Sequence, residues 1–259
     1  MTIVLVISAE DSEEIIAYSD SRVSNSTPLL DGVAKLLPLP VKIVDANQML
    51  VLNSSFGFAF SGSTLVAQTV YSFVSASLQS LRSDDGHEVP SLEQISEYVA
   101  LILKKTATEL GGNVTTPSTV QTSILIFGFC PITQTRKLYK TETQITQTFE
   151  IGFGELNVVE KGTCHCIGNE EAIDMLWKEV DSNGNIDYLE ALRSLIKSPD
   201  VVAVGGDIQA MIANELGASV VPILDKAKDG TVTLKLLNQV IDEVTVGPCH
   251  FKNKAISIQ

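Results

Sequence analysis

The chain has 259 residues, 44% hydrophobic and 19% charged, with a net charge of −13. That apolar content excludes a disordered chain. The negative charge disfavours nucleic acid and anionic membranes as partners, because both require basic surface. No stretch reaches the ~18 apolar residues of a membrane helix, and the acidic turn after the apolar start at Ile3 does not read as a secretory signal. Four cysteines are too few for a disulfide framework at this length, so reduced thiols in a cytoplasmic protein are expected. No repeat, linker or low-complexity run interrupts the chain, and one domain over residues 1–259 is expected.

The predicted elements begin with Ile3–Ile7, β-branched and continuous, as in a strand buried on both faces. A turn at 10–13 leads to a second strand over Ile15–Ser19. Short strands follow at Val33–Leu39, Val41–Asp45, Met49–Leu52 and Phe56–Ser61. Helical spacing then sets in: Val66, Val70, Phe73, Val74, Ser77, Leu78 and Leu81 share one face, and Asp84-Asp85-Gly86 ends the helix. Ser91 with Gln94 forms a capping box for a second helix, whose stripe is Leu92, Ile95, Val99 and Ile102 and which Gly111-Gly112-Asn113 stops.

Strands resume at Thr122–Phe129, Arg136–Thr141, Thr148–Phe153 and Thr163–Ile167. Helices are predicted over Glu170–Val180 and Ile186–Ile196, strands over Asp207–Ile212 and Val220–Leu224, and a short helix over Leu234–Val244. Runs of strands and runs of helices in this order predict an α+β fold with two stacked sheets between two helix layers, a four-layer αββα sandwich. Sheets covered on both faces also explain the continuous apolar strands.

Thr2 follows Met1, and an initiator methionine is normally removed before a small residue. Removal would give Thr2 a free α-amine beside its hydroxyl, so that one residue holds both nucleophile and base. A nearby lysine charge would keep that amine neutral, and an aspartate would hold the lysine. Lys35, in Gly-Val-Ala-Lys-Leu, and Asp20, in Ser-Asp-Ser-Arg, supply the pair. Gly62 ends a strand just before a helix; it reads both as a helix-entry turn with Ser63 as N-cap and as a backbone N–H donor to an oxyanion.

In this order the segments resemble the proteasome β-subunit superfamily of N-terminal nucleophile hydrolases, and among its bacterial members HslV and the Anbu-type homologues. The resemblance rests on Met-Thr-Ile-Val at the start, Ser19-Asp20-Ser21-Arg22, Gly32 to Leu36, Gly57 to Ser63, Ile167-Gly168-Asn169 and Ala203 to Ile208. It implies the αββα sandwich, with Thr2, Asp20, Lys35 and Gly62 as the catalytic set and Asn169 and Asp200 in support. It further implies cleavage of amide bonds in peptides or unfolded proteins, a self-compartmentalised homo-oligomer and an ATPase partner, with no cofactor. Asn169 and Ala203 stand where many members carry serine. That departure motivates the alternative of a non-catalytic assembly protein with the same fold.

Other patterns are weaker. Glu179 to Glu190 spaces Glu179, Asp181, Asn183 and Glu190 like a calcium loop, with Gly184 at the sixth position, but the first ligand is Glu rather than Asp. A helix-connecting turn at Asn-Gly is the plainer reading. Cys164 and Cys166 fall on one strand face without the four ligands of a zinc site, so no metal is expected. The three histidines have no triad spacing, and no nucleotide-binding glycine pattern occurs.

Overall fold

The computed structural model describes residues 2–9, 11–25, 27–111, 120–145, 149–156, 158, 160–183, 187–199, 201–226, 232–237, 239–241, 245–246, 249–250 and 256–257. In chain order the elements are β1 (Ile3–Ser8), β2 (Ile15–Ser19), β3 (Arg22–Asn25), β4 (Thr27–Asp31), β5 (Leu36–Val44), β6 (Leu50–Gly62), α1 (Thr64–Leu78), β7 (Leu81–Arg82) and α2 (Leu92–Gly111). They continue with β8 (Thr122–Phe129), β9 (Arg136–Ile145), β10 (Phe149–Leu156), β11 (Cys164–Gly168), α3 (Glu170–Asn183), α4 (Tyr188–Lys197), β12 (Gln209–Asn214) and β13 (Gly217–Val221). The last strands are β14 (Ile223–Lys226), β15 (Val232–Leu236), β16 (Gln239–Val240), β17 (Thr245–Val246), β18 (Cys249–His250) and β19 (Ile256–Ser257).

Two large sheets carry the fold. One has the order β11-β1-β2-β12-β13, the other β10-β9-β8-β6-β5-β7. A four-stranded sheet, β16-β15-β14-β19, and the hairpins β3-β4 and β17-β18 are separate. The alternation of side chains along a strand sorts the core. In β1, Ile3, Leu5 and Ile7 join Ala172, Leu176 and Leu192 of α3 and α4, whereas Val4 and Val6 meet Leu125 and Phe127 of β8. In β8 the neighbouring Ile124 and Ile126 turn the other way, to Val70 of α1 and Val99 of α2. Side chains of β1 and of β8 thus enter apolar clusters on both sides of the strand, which is why Ile3–Ile7 and Ile124–Phe127 are continuously apolar. Within the second sheet the Phe127 ring lies over its cross-strand neighbour Gly57, where a Cβ would stand 2.3 Å from it.

Several sequence expectations are corrected. The strands expected at Val33–Leu39 and Val41–Asp45 are one strand, β5, which begins only after Lys35 and runs through Pro38 and Pro40. The Phe60 N–H donates to the Lys35 carbonyl, so by alternation the two proline nitrogens face away from β6, where no ladder donor is required. Met49–Leu52 and Phe56–Ser61 likewise fuse into β6. Helix α1 ends at Leu78; Leu81 lies in β7, paired in parallel with Ile43, and Phe73 is 53% exposed whereas Ala67, outside the expected stripe, is buried. The tail helix expected at Leu234–Val244 is instead β15 and β16: Val232–Leu236 alternates and pairs with β14, and Leu237 turns the chain at φ 46°. The Ser91–Gln94 box is present, with Gln94 N–H donating to Ser91 Oγ at 3.2 Å and Ser91 N–H to Gln94 Oε1 at 2.9 Å.

Candidate active site

Asp20 follows the end of β2 and is fully buried. Its Oδ1 accepts from Ile3 N–H at 3.1 Å and from Lys35 Nζ at 2.8 Å. Its Oδ2 accepts from Arg22 N–H at 3.2 Å and Gly205 N–H at 3.1 Å. Lys35 is also fully buried, and its Nζ donates further to the Arg22 carbonyl at 2.5 Å.

Lys35 is aimed inward because the segment before β5 is irregular and side chains satisfy its backbone. Gln209 of β12 accepts from Lys35 N–H at 2.9 Å and donates to the Val33 carbonyl at 2.7 Å. Gln68 of α1 donates to the Ala34 carbonyl at 3.1 Å. The N–H groups of Gly32 and Val33 both reach the Ser21 carbonyl. Nothing in the sequence marked these two glutamines, since their role depends on strands that are far apart along the chain.

Burial pushes the Lys35 ammonium below the usual lysine range, and the Asp20 charge holds it back. Burial likewise pushes the Asp20 carboxyl up, opposed by Lys35 and by the Ile3 and Gly205 N–H bonds. At the rim, Arg22 clasps Asp31 with Nε at 2.7 Å and Nη2 at 3.0 Å, and its hydrogen bond holds the Asp31 carboxyl below the ordinary range.

Thr2 directly precedes β1 and is buried. Its carbonyl accepts from Asn169 N–H at 2.9 Å. Gly168, at φ 146°, leaves room for that carbonyl, which a Cβ would approach to 2.1 Å. The Lys35 ammonium and the peptide N–H joining Thr2 to Ile3 thus share one carboxylate oxygen, and the structure brings Thr2, Asp20 and Lys35 together.

Gly62 closes β6 at φ 97° with the Gln121 carbonyl 2.2 Å from where a Cβ would stand. The following Ser63 caps α1, accepting from Val66 N–H at 3.5 Å, so the helix-entry reading holds. Asn169 caps α3, with Oδ1 accepting from Ala172 N–H at 2.9 Å. Ala203 contributes its carbonyl to Ser24 Oγ at 3.3 Å, and Asp200 lies outside the described residues. Gly205, quoted in the sequence only as part of a resembling segment, proves to be a direct donor to Asp20.

The calcium-loop spacing does not form a loop where its first ligands stand. Glu179, Asp181 and Asn183 belong to α3, which runs three residues beyond the expected end at Val180 and takes up the candidate's first half. Asp187 instead caps α4, accepting from Leu189 and Glu190 N–H at 3.1 Å, and Glu190 faces Arg193 at 3.7 Å. Gly184 to Ile186 lie outside the described residues. Among the described residues no group of three or more His, Cys, Asp or Glu is placed to hold a metal ion. The Cys164 and Cys166 sulfurs are 4.0 Å apart on β11, and their mutual hydrogen bond, with burial, pushes the Cys164 thiol up.

No protein family and no curated protein matches this chain in sequence. Solved structures do match it. An Anbu mutant from a Hyphomicrobium species superposes with a TM-score of 0.56 at 14% identity, covering 85% of each chain. Anbu, the ancestral beta-subunit, from Yersinia bercovieri superposes with a TM-score of 0.55 at 14% identity, covering 82% of this chain and 81% of its own. The chain has the Anbu fold. The resemblance read from the ordered segments to Anbu-type chains is therefore borne out as a likeness of fold over most of both chains. No described helix is long and apolar enough to cross a membrane.

Proposed function

We propose that this protein is a proteasome-like N-terminal threonine hydrolase that cleaves amide bonds once Met1 is removed. The observation that carries this reading is the shared Asp20 Oδ1, which binds both Lys35 Nζ and the N–H following Thr2 inside a buried pocket of backbone donors. Four hydrogen bonds fix the carboxylate, the carboxylate fixes the lysine, and the lysine shares Oδ1 with the peptide N–H that follows Thr2.

In the proposed reaction Thr2 Oγ1 adds to the substrate carbonyl carbon while the Thr2 α-amine takes the hydroxyl proton. The Lys35 charge keeps that amine neutral beforehand. The N–H of Gly62 stabilises the oxyanion. Since the Phe60 N–H points to Lys35, alternation along β6 directs the Gly62 N–H to the same side. Collapse of the intermediate breaks the C–N bond, the amine proton passes to the leaving nitrogen, and water then hydrolyses the ester to regenerate Thr2.

The same reading makes the chain one domain and its layers an αββα sandwich, a description supported by the two helix-facing clusters and the cluster between the sheets. It also makes the assembly a self-compartmentalised cytoplasmic homo-oligomer that receives peptides or unfolded protein, with an ATPase as partner.

A second reading is a non-catalytic assembly protein of the same fold. It is favoured by Asn169, whose amide oxygen is committed to capping α3 at a position where many members carry serine. Intact mass and turnover separate the two. Loss of one methionine together with peptide turnover that Thr2→Ala abolishes supports the hydrolase. Retained Met1, or turnover indifferent to Thr2→Ala, ends it.

A further inference from the structure

The four-stranded C-terminal sheet takes no part in the proposed chemistry, yet one of its lysines grips the segment that holds Asp20. Lys235 of β15 places Nζ 3.0 Å from Asp207 Oδ1 and 3.1 Å from Asp207 Oδ2. The same ammonium lies 3.5 Å from Asp225 of β14, which Arg193 of α4 binds at 3.1 Å. Asp207 in turn donates its N–H to Ser21 Oγ at 2.9 Å, next to Asp20 in the chain.

The segment between needs such a grip. Gly205 and Gly206 stand together because side chains crowd them: a Cβ on Gly205 would meet the Arg22 guanidinium at 2.2 Å, and one on Gly206, at φ 73°, would meet Ser21 Oγ at 2.3 Å. Two consecutive glycines are costly to hold in one conformation. Gly205 must nevertheless keep its N–H on Asp20 Oδ2. On the N-terminal side, Arg22 Nη1 reaches the Val202 and Val204 carbonyls at 3.4 Å. On the C-terminal side the anchors are the Ser21 hydroxyl and the Lys235–Asp207 pair.

We propose that Lys235 is a positioning residue for the Asp20–Lys35 pair, acting through Asp207 to hold Gly205 N–H on the Asp20 carboxylate. The C-terminal sheet thereby controls the order of the site. The catalytic consequence rests on the threonine-hydrolase reading, whereas the clamp itself rests on geometry alone.

The test uses full-length protein with Met1 removed, as wild type, Lys235→Ala, Lys235→Arg, Asp207→Asn and Thr2→Ala. Hydrogen exchange of the peptide covering 201–208 is read beside the rate of covalent labelling by a peptidyl epoxyketone. The clamp predicts exchange of that peptide about tenfold faster in Lys235→Ala and Asp207→Asn, with the rest of the chain unchanged. It predicts kinact about fivefold lower at unchanged KI, both recovered in Lys235→Arg. Because the pair is partly exposed, about 0.5 M salt should slow wild type and leave Lys235→Ala unaffected. Unchanged exchange in both variants, or faster exchange spread over the whole chain, overturns the clamp. Wild type that the probe does not label, with the exchange result as expected, keeps the clamp and ends the hydrolase reading. Labelling that Thr2→Ala abolishes, with exchange unchanged, does the reverse.

Discussion

Gly205 and Asp20 lie 185 residues apart in sequence, and the glycine N–H donates to the aspartate Oδ2 at 3.1 Å. A late loop thereby completes a carboxylate cradle that the first strands begin. The cradle binds Oδ1 and Oδ2 to two donors each, so that the charge of Lys35 is met by a carboxylate with no freedom to rotate.

Lys35→Met should destabilise the fold by about 3 kcal/mol, because it leaves Asp20 buried without its cation. The loss should be smaller at pH 5 than at pH 8. Burial raises the Asp20 carboxyl in the folded state. A raised carboxyl contributes stability that is complete below its unfolded value and lost as pH climbs through the folded value. Denaturant unfolding at the two pH values checks this; equal losses would show that the carboxyl is not titrating.

Turnover should be bell-shaped in pH. The acid limb belongs to the Thr2 amine and the basic limb to Lys35, which burial sets below the usual lysine range. The Asp20 charge is what holds that value up, so Asp20→Asn should carry the basic limb further toward acid while lowering kcat. A limb that moves toward base in Asp20→Asn would contradict the assignment.

Gly168→Ala and Gly62→Ala should each cost about 2–3 kcal/mol, since both combine a positive φ with a backbone oxygen in the path of the new methyl. Gly154→Ala, on β10, meets nothing within 4 Å and has no such φ. It should be neutral or slightly stabilising by about 0.5 kcal/mol. Thermal melts of the three variants suffice, and a destabilised Gly154→Ala would count against the described packing.

Asp187→Ala should lower stability by about 1 kcal/mol through loss of the α4 cap. The decrement should be the same in calcium and in chelator. A decrement that appears only with calcium would restore the loop reading that α3 displaces.

The elements with strong periodicity were legible: both-face burial of β1, the capping box at Ser91 and the entry to α1 at Ser63 all follow from local chemistry. Asp20, Lys35 and Thr2 are expected together because the ordered segments resemble those of N-terminal nucleophile hydrolases, in which an exposed threonine would need a lysine and a carboxylate, and the structure brings the three near one another. What holds them was not legible. Gln209, Gln68 and Gly205 act on backbone from other elements, and no local pattern distinguishes such a glutamine from a surface one. Phe73 was misplaced because seven apolar or small positions fit the stripe while the sheet covers fewer. The tail forms strand rather than helix because Val232–Leu236 alternates and pairs along its length with β14.

β1 is paired on one side with β2, made moments later, and on the other with β11, whose register joins Ile3 to Gly168. During synthesis, at about 5–20 residues per second, the second side of β1 stays open until that distant strand has been made. Only then does Asn169 N–H close on the Thr2 carbonyl and the residue become buried. The order of the chain around Thr2 therefore depends on β11, a strand made long after β2, and the early hairpin alone leaves that edge unfinished.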